Sequence, residues 1–304
     1  MRVLITGSGG QLGRTIVAEF GAHHEVVQTT VDGLDLRDAA SVARAFASVR
    51  PEAVVNCAAY TDVDGSEEHP VEALEVNAFG VRTLAAAAAA CGACLVHYST
   101  DFVFDGRADR PYSEEDRPNP RSTYACSKLL GEWFAAAAPC HYVLRVESLF
   151  GAVAVPGDTR RSSVDRIVDG ILRGETVRVF SDRTVSPSHV GDVAAATRAL
   201  VERGAPTGLY HCVNSGFCTW PELAREIGRQ LGVEPRLLEM TMADAKLRAE
   251  RPVYCALSNV KLQAAGITMP TWQEALASHL RQGPAASDRP AAGRSPHPRG
   301  AGGE

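Results

Sequence analysis

A doubly wound α/β fold around a parallel sheet is the architecture this sequence predicts, and three observations predict it. Short apolar runs alternate with helical patterns through the first 150 residues. The runs are continuously apolar rather than alternating with polar residues, as strands covered on both faces require. The first run also leads directly into a glycine-rich turn, GSGGQLG at 7–13, followed by a helix.

The elements follow in order. RVLIT at 2–6 is the first strand, the glycine turn comes next, and a helix runs through Phe20. EVVQT at 25–29 is the second strand, AASVARAFASV at 39–49 a helix, and AVVNCAA at 53–59 the third strand. One helix is expected from Pro70 to Ala90, stopped by Gly92, and CLVHYST at 94–100 is the fourth strand. A helix from Tyr124 to Ala137 and a strand HYVLRVESLF at 141–150 continue the alternation.

After Gly151 the pattern loosens, then resumes with a helix at 164–174, VRVFSD at 177–182, GLYHCVN at 208–214 and the helix WPELAREIGRQLG. In that helix Trp220, Leu223, Ile227 and Leu231 form one apolar stripe. Residues 1–150 are therefore expected to form a dinucleotide-binding domain. Residues 151–281 are expected to form a smaller C-terminal lobe from which the chain crosses back to the sheet. A lobe beside the carboxyl edge of such a sheet is where substrate binds. From 282 to 304 the chain is rich in Pro, Gly, Ala and Arg and poor in large apolar residues. It cannot offset its ordering entropy by burial, so a disordered tail is expected.

Composition narrows the function classes. The chain has 304 residues, 45% of them hydrophobic, enough for a substantial core. A net charge of -5 argues against nucleic acid, for which a basic face is expected. The longest low-polarity stretch, 84–96, is too short to span a bilayer, and the N-terminus lacks the features of a secretory signal. A cytoplasmic protein with no membrane association is expected. The eight cysteines are scattered, unlike the framework of a small secreted domain, and are expected to be reduced. Cys91-Gly-Ala-Cys94 has no second pair to complete a zinc site and reads as the punctuation between a helix and a strand.

In the glycine turn, Gly7 permits the tight bend, Gly10 lets the backbone approach a pyrophosphate, and Gly13 allows close packing of helix on strand. The helix N-terminus adds amide donors and a favourable dipole. A dinucleotide site of the Rossmann type is expected. At the tip of strand two stands Gln28-Thr29-Thr30 rather than an acid, which leans toward NADPH, with NADH as the alternative and Arg14 a candidate phosphate partner. Asp35 and Leu36 are placed to cover the adenine, although Asp35 reads equally well as a helix N-cap.

YACSK, residues 124–128, sets a phenol and an ammonium four residues apart, on one face of a helix. That spacing alone reads as a solvated helix face before it reads as a proton-transfer site. A ketone reduction needs a proton donor, and an ammonium one turn beyond Tyr124 favours its phenolate. Ser99 and Thr100 in HYSTDFVFDG stand at the carboxyl end of the fourth strand, where such folds bind ligands. His97, inside an apolar strand, reads as a core histidine, and His189 as part of a packing segment.

Together, TGSGGQLG, NCAAYTDVDGSE, EVNAFGVRTLA, HYSTDFVFDG, YACSK and GLYHCVNSGFCTWPELA resemble the extended short-chain dehydrogenase/reductases, and within them the dTDP-4-dehydrorhamnose reductase family. The resemblance runs from Met1 to Arg281. It implies Tyr124 as the acid that protonates a C4 oxygen, and Lys128 as the group that lowers its pKa and binds the cofactor ribose. It also implies Thr100 as a donor to the carbonyl. Gly10, Gln11 and Leu12 would face the pyrophosphate, Asp35 and Leu36 the adenine, and Ala58, Ala59 and Thr61 the strand-three wall along the cofactor. Asp101 and Val63 would border the sugar. Asp64 beside Val63 would do the same.

Two segments depart from the family's pattern. Where the reductases carry RTSW, this chain reads Arg145-Val146-Glu147-Ser148-Leu149, so the surroundings of Leu149 make the sugar uncertain. Asp182-Arg183-Thr184-Val185-Ser186-Pro187-Ser188 replaces DQxGxPT, and Arg183 reads equally as a diphosphate partner or a solvent-facing residue. Thr15 stands where some members use a metal-binding glutamate, so no metal is expected. The implied activity is NAD(P)H-dependent 4-keto reduction of a nucleotide-activated deoxysugar by a monomer or homodimer. The rivals are a non-catalytic NADP-binding regulatory subunit and a reductase or epimerase of another nucleotide sugar.

Overall fold

The computed structural model describes residues 1–151 and 161–282. The chain opens with β1 (Arg2–Thr6), α1 (Gln11–Gly21), β2 (Glu25–Gln28), α2 (Ala39–Val49) and β3 (Ala53–Asn56). Then come α3 (Gly65–Glu68), α4 (Pro70–Leu74), α5 (Gly80–Cys91), β4 (Cys94–Thr100), α6 (Thr123–Ala135), β5 (His141–Val146) and β6 (Leu149–Phe150). The second part holds α7 (Ser163–Leu172), β7 (Thr176–Phe180), β8 (Thr184–Val185), β9 (Ser188–His189), α8 (Val190–Arg203) and β10 (Gly208–His211). It closes with β11 (Cys218–Thr219), α9 (Trp220–Leu231), β12 (Arg236–Met240), α10 (Val260–Ala264) and α11 (Trp272–Gln282).

The central sheet has the order β10-β5-β4-β3-β1-β2 and its strands are parallel. Successive side chains of a strand point to opposite faces, so each strand feeds two cores. Val3 and Ile5 pack with Ile16, Phe20, Leu144 and Leu200 on one side. Leu4 packs with Leu84, Leu95 and Val143 on the other. Each such side chain stabilises the fold by about 1.5–3 kcal/mol, and cutting Ile5 to Ala would cost about 2–5 kcal/mol. The strand order reverses between β1 and β3. That switch point opens a crevice at the carboxyl edge.

A third cluster belongs to the C-terminal half: Phe150, Ile167, Val177, Trp220, Leu223, Ile227, Trp272 and Leu276. The α9 stripe read from sequence supplies part of it. That helix begins at a capping box in which Thr219 Oγ1 accepts from the Glu222 amide, and ends at Gly232 in the left-handed region, φ 72°. Meanwhile α8 packs on the first cluster and β10 extends the central sheet.

Several expectations need correction. The single helix expected at 70–90 is α4, a π-helical turn at Glu75–Phe79, and α5. In that turn Asn77 is buried, where it accepts from the Tyr60 amide at 2.9 Å and donates to Tyr60 O and Ser127 Oγ at 3.0 Å each. The strand expected at 141–150 is interrupted at Glu147 and Ser148, the latter at φ 44°. The cysteines are not all reduced: Cys94 and Cys140 form a disulfide with Cα atoms 4.6 Å apart. Cys94 opens β4 and Cys140 immediately precedes its neighbour β5, and that adjacency is a product of pairing rather than of sequence spacing. Cys91 remains a thiol, while Gly92 caps α5 at φ 73° as expected. Beyond Gln282, the tail lies outside the described residues, as do 152–160. No helix among the described residues is long and apolar enough to cross a membrane.

Candidate active site

A cleft of ≈ 870 Å³ opens at the switch point, within the size range of small-molecule sites. Its floor is the glycine turn. Gly7 adopts φ 62°, and a Cβ there would lie 2.5 Å from the Ala58 amide nitrogen; one on Gly13 would lie 2.9 Å from Ser8 Cα. No side chain could fit between turn, helix and strand at either point. Gly10 is the N-cap of α1 and offers no side-chain cap, so amides of the first turn stay available to an anion. Such a cradle fits a dinucleotide pyrophosphate.

One wall is formed by Ala58, Ala59 and Thr61 after β3, and the far end by Thr30, Leu34, Asp35, Leu36, Arg14 and Arg37. Asp35 is not a helix cap; Asp38 caps α2 by accepting from the Ala40 amide at 2.9 Å. Instead Asp35 accepts Nη2 of Arg37 at 2.8 Å and the Arg37 amide at 3.0 Å, which hold its carboxyl below the usual range. Gln11 and Leu12 begin α1 along the floor, and Gln11 Nε2 donates to the Leu149 carbonyl at 3.2 Å. Leu149 therefore sits against the glycine turn. Arg161, Ser162 and Asp165, around the start of α7, also line the cleft, and nothing in their local sequence pattern marked them.

Tyr124 and Lys128 lie at the inner end of the cleft. They are brought there by α6, whose N-cap Ser122 accepts from the Ala125 amide. Phe102 meets the Tyr124 ring edge-on, with centroids 5.7 Å apart. Burial, and then the Asp101 charge, push the Tyr124 phenol well above its ordinary value, against a lowering hydrogen bond from Thr100. The phenol is thus held as a neutral acid, opposite to the expected lowering. Buried Lys128 donates Nζ to the Tyr98 carbonyl at 2.6 Å, and desolvation brings its pKa down to about 8, against the raising effect of Glu132.

Thr100 lies one layer behind the lining, its Oγ1 donating to Asp101 Oδ1 at 2.9 Å and accepting from the Phe102 amide at 3.3 Å. Asp101 is buried there and does not reach the cleft. Val63 stands at the turn into α3, off the cleft, its carbonyl accepting from Ser66 Oγ at 2.7 Å. Arg183 does not line the cleft and is largely turned away from water. It lies 3.6 Å from Asp101 Oδ2 and over the Phe102 ring. Beneath α6, Glu132 joins Ser99 Oγ, at 2.6 Å, to a two-pronged buried pair with Arg145 at 2.8 and 2.7 Å. Removing either partner would leave an uncompensated buried charge, a loss of about 3–5 kcal/mol. His97 shares Nδ1 with Asn56 at 3.1 Å in the core, and burial pushes its pKa well down.

A parallel α/β sheet with a glycine turn at its switch point and a Tyr–Lys helix at the inner end of the cleft defines an NAD(P)H-dependent oxidoreductase of the short-chain dehydrogenase/reductase class. Comparison with known proteins narrows this. The chain belongs to the dTDP-4-dehydrorhamnose reductase family: the family model described as RmlD substrate binding domain matches residues 1–283. It is 37% identical to the dTDP-4-dehydrorhamnose reductase of Streptomyces griseus over 284 residues, 90% of this chain and 91% of that one. Among solved structures it resembles a dTDP-4-dehydrorhamnose reductase from Clostridium acetobutylicum, with TM-score 0.85, 34% identity and coverage of 92% and 98% of the two chains. It also resembles the Bacillus anthracis dTDP-4-dehydrorhamnose reductase in complex with NADP, with TM-score 0.86, 29% identity and coverage of 93% and 99%.

Proposed function

We propose that this protein reduces the C4 keto group of a dTDP-activated deoxysugar with NADPH, and that dTDP-4-dehydro-L-rhamnose, yielding dTDP-L-rhamnose, is the substrate. The observation that carries this reading is that Tyr124 and Lys128 line the inner end of the cleft that begins at the glycine turn, with Thr100 directly behind them, in a chain of this family. NADPH is preferred because no acid stands at the tip of β2, where a 2'-phosphate would otherwise be repelled, and because a relative of this family binds NADP. NADH is the alternative.

The bound nicotinamide supplies the hydride. Tyr124, held neutral, gives its proton to the C4 oxygen as negative charge develops there. Thr100 lies beside Tyr124 and orients the same oxygen. Lys128 offers the cofactor ribose the ammonium donors not used by Tyr98 O, and its charge offsets the phenolate left behind. Gly7, Gly10, Gln11, Leu12 and Gly13 hold the pyrophosphate, while Asp35, Leu36, Ala58, Ala59 and Thr61 flank the rest of the cofactor. The sugar and its nucleotide would lie between the carboxyl edge of the sheet and the lobe built on α7, α9 and α11.

Purified protein with NADPH and dTDP-4-dehydro-L-rhamnose should oxidise the cofactor. Tyr124→Phe should lower kcat by about 10²-fold or more while NADPH binding persists. A wild-type rate in that variant would remove Tyr124 from the mechanism. A thermal-shift panel of dTDP-, UDP- and GDP-sugars tests the nucleotide, since the true ligand raises apparent stability by mass action. NADPH binding without turnover of any 4-keto sugar would favour a regulatory subunit.

A further inference from the structure

The two segments that depart from the family's pattern meet behind Thr100. Glu147, just past β5, accepts from the Ser186 amide at 2.6 Å through Oε2, and its Oε1 is buried without a hydrogen-bond partner. Asp101 accepts from Thr100 through Oδ1; its Oδ2 is likewise buried without a close hydrogen bond, with the Arg183 guanidinium 3.6 Å away and the Cys255 thiol also acting on the carboxyl group. The two carboxyl groups and the Cys255 thiol each bring an atom within 4.8 Å of the others. Cys255 donates to the Pro252 carbonyl at 3.3 Å, and Arg183 Nη2 lies 3.6 Å from its sulfur. Cys218 and Tyr254 also feel the Glu147 charge, and burial keeps both neutral.

Charge counting then constrains the cluster. Two carboxyl groups face one guanidinium, so full ionisation would strand a net negative charge away from water, where it is strongly disfavoured. One proton removes the net charge and turns an orphaned acceptor into a donor beside another acceptor. We propose that Asp101 and Glu147 hold a single proton between them, balanced by Arg183, and that Glu147 is thereby a positioning residue that sets the direction of the Thr100 hydroxyl. With the proton on Glu147, Asp101 is ionised and Thr100 donates inward to it, as the present geometry has it. With the proton on Asp101 Oδ1, that hydrogen bond reverses: Asp101 donates to Thr100 Oγ1, and the Thr100 proton turns toward the reacting oxygen. Only one O–H bond is exchanged for another, and the proton count is unchanged. The second half of the proposal rests on the ketoreductase reading above.

Infrared spectroscopy of the full chain at pH 8 tests the proton without any substrate. Surface acids are ionised there, so the wild type should keep a carboxylic-acid C=O band, and Glu147→Gln should lose it. A wild type with no such band, or a band that survives in Glu147→Gln, overturns the proposal. Turnover tests the positioning: in Glu147→Gln Asp101 stays ionised against Arg183, so kcat should fall about tenfold with unchanged NADPH affinity and thermal midpoint. A lowered midpoint with wild-type kcat would make Glu147 structural only. Absence of wild-type turnover on any keto sugar would count against the ketoreductase reading and leave the infrared result to decide the proton.

Discussion

Lys128 carries its ammonium into a site where burial lowers the pKa from the ordinary 10.5 to about 8, so its charge is present below pH 8 and lost above it. Two consequences have opposite signs. Turnover that needs the cation should decline as pH rises through about 8, read as the basic limb of a kcat/KM profile. Between about 8 and 10.5 the unfolded chain binds more protons than the folded one, so this group's contribution to folding stability rises with pH. Lys128→Met should flatten that part of the stability curve. YACSK showed only that a phenol and an ammonium share a helix face. Their pKa values depend on Asp101, Glu132 and burial, brought together from other elements.

Among the elements, β4 and β5 run side by side and bring Tyr98, Ser99 and Val146 to the cleft, and the Cys94–Cys140 disulfide joins their N-terminal ends. In the chain-entropy account, a crosslink across 46 residues of separation stabilises the fold by about 3–4 kcal/mol. Cys140→Ser should lower the thermal midpoint accordingly, and alkylation with mass spectrometry should find Cys94 and Cys140 protected until reduction. Equal labelling of all eight cysteines without reductant would contradict the pairing. Helices with a clean start and stop were legible as such: α2 covers the run read from sequence, and α9 begins at its capping box. The π-turn around Asn77 was not, because helical periodicity is blind to one extra residue that turns a polar side chain inward.

Across the whole molecule, the C-terminal segment is tied back to the nucleotide-binding half by Asp64, which accepts from Arg251 at 2.8 Å and from the Ala249 amide at 2.9 Å. Arg251, and then that amide, hold the Asp64 carboxyl down to about 2, below its ordinary 3.8. Its stabilisation is therefore complete above pH 3.8 and lost as pH falls through about 2. The pair is partly exposed, so after screening it is worth about 1 kcal/mol or less. Asp64→Asn should shallow the acid limb of the unfolding profile by that amount; an unchanged limb would mean that the contact is not made in solution. The sequence by itself determined the doubly wound sheet, the glycine cradle and the Tyr–Lys face. Each is written in local periodicity or in a spacing within one element, which short-range sterics and hydrogen bonding settle. The tertiary structure alone decided that Cys94 meets Cys140, that Arg183 turns inward to Asp101, and that Glu147 stands buried behind Thr100. Those are contacts between distant segments, and their charges and pKa values follow from the burial that folding creates.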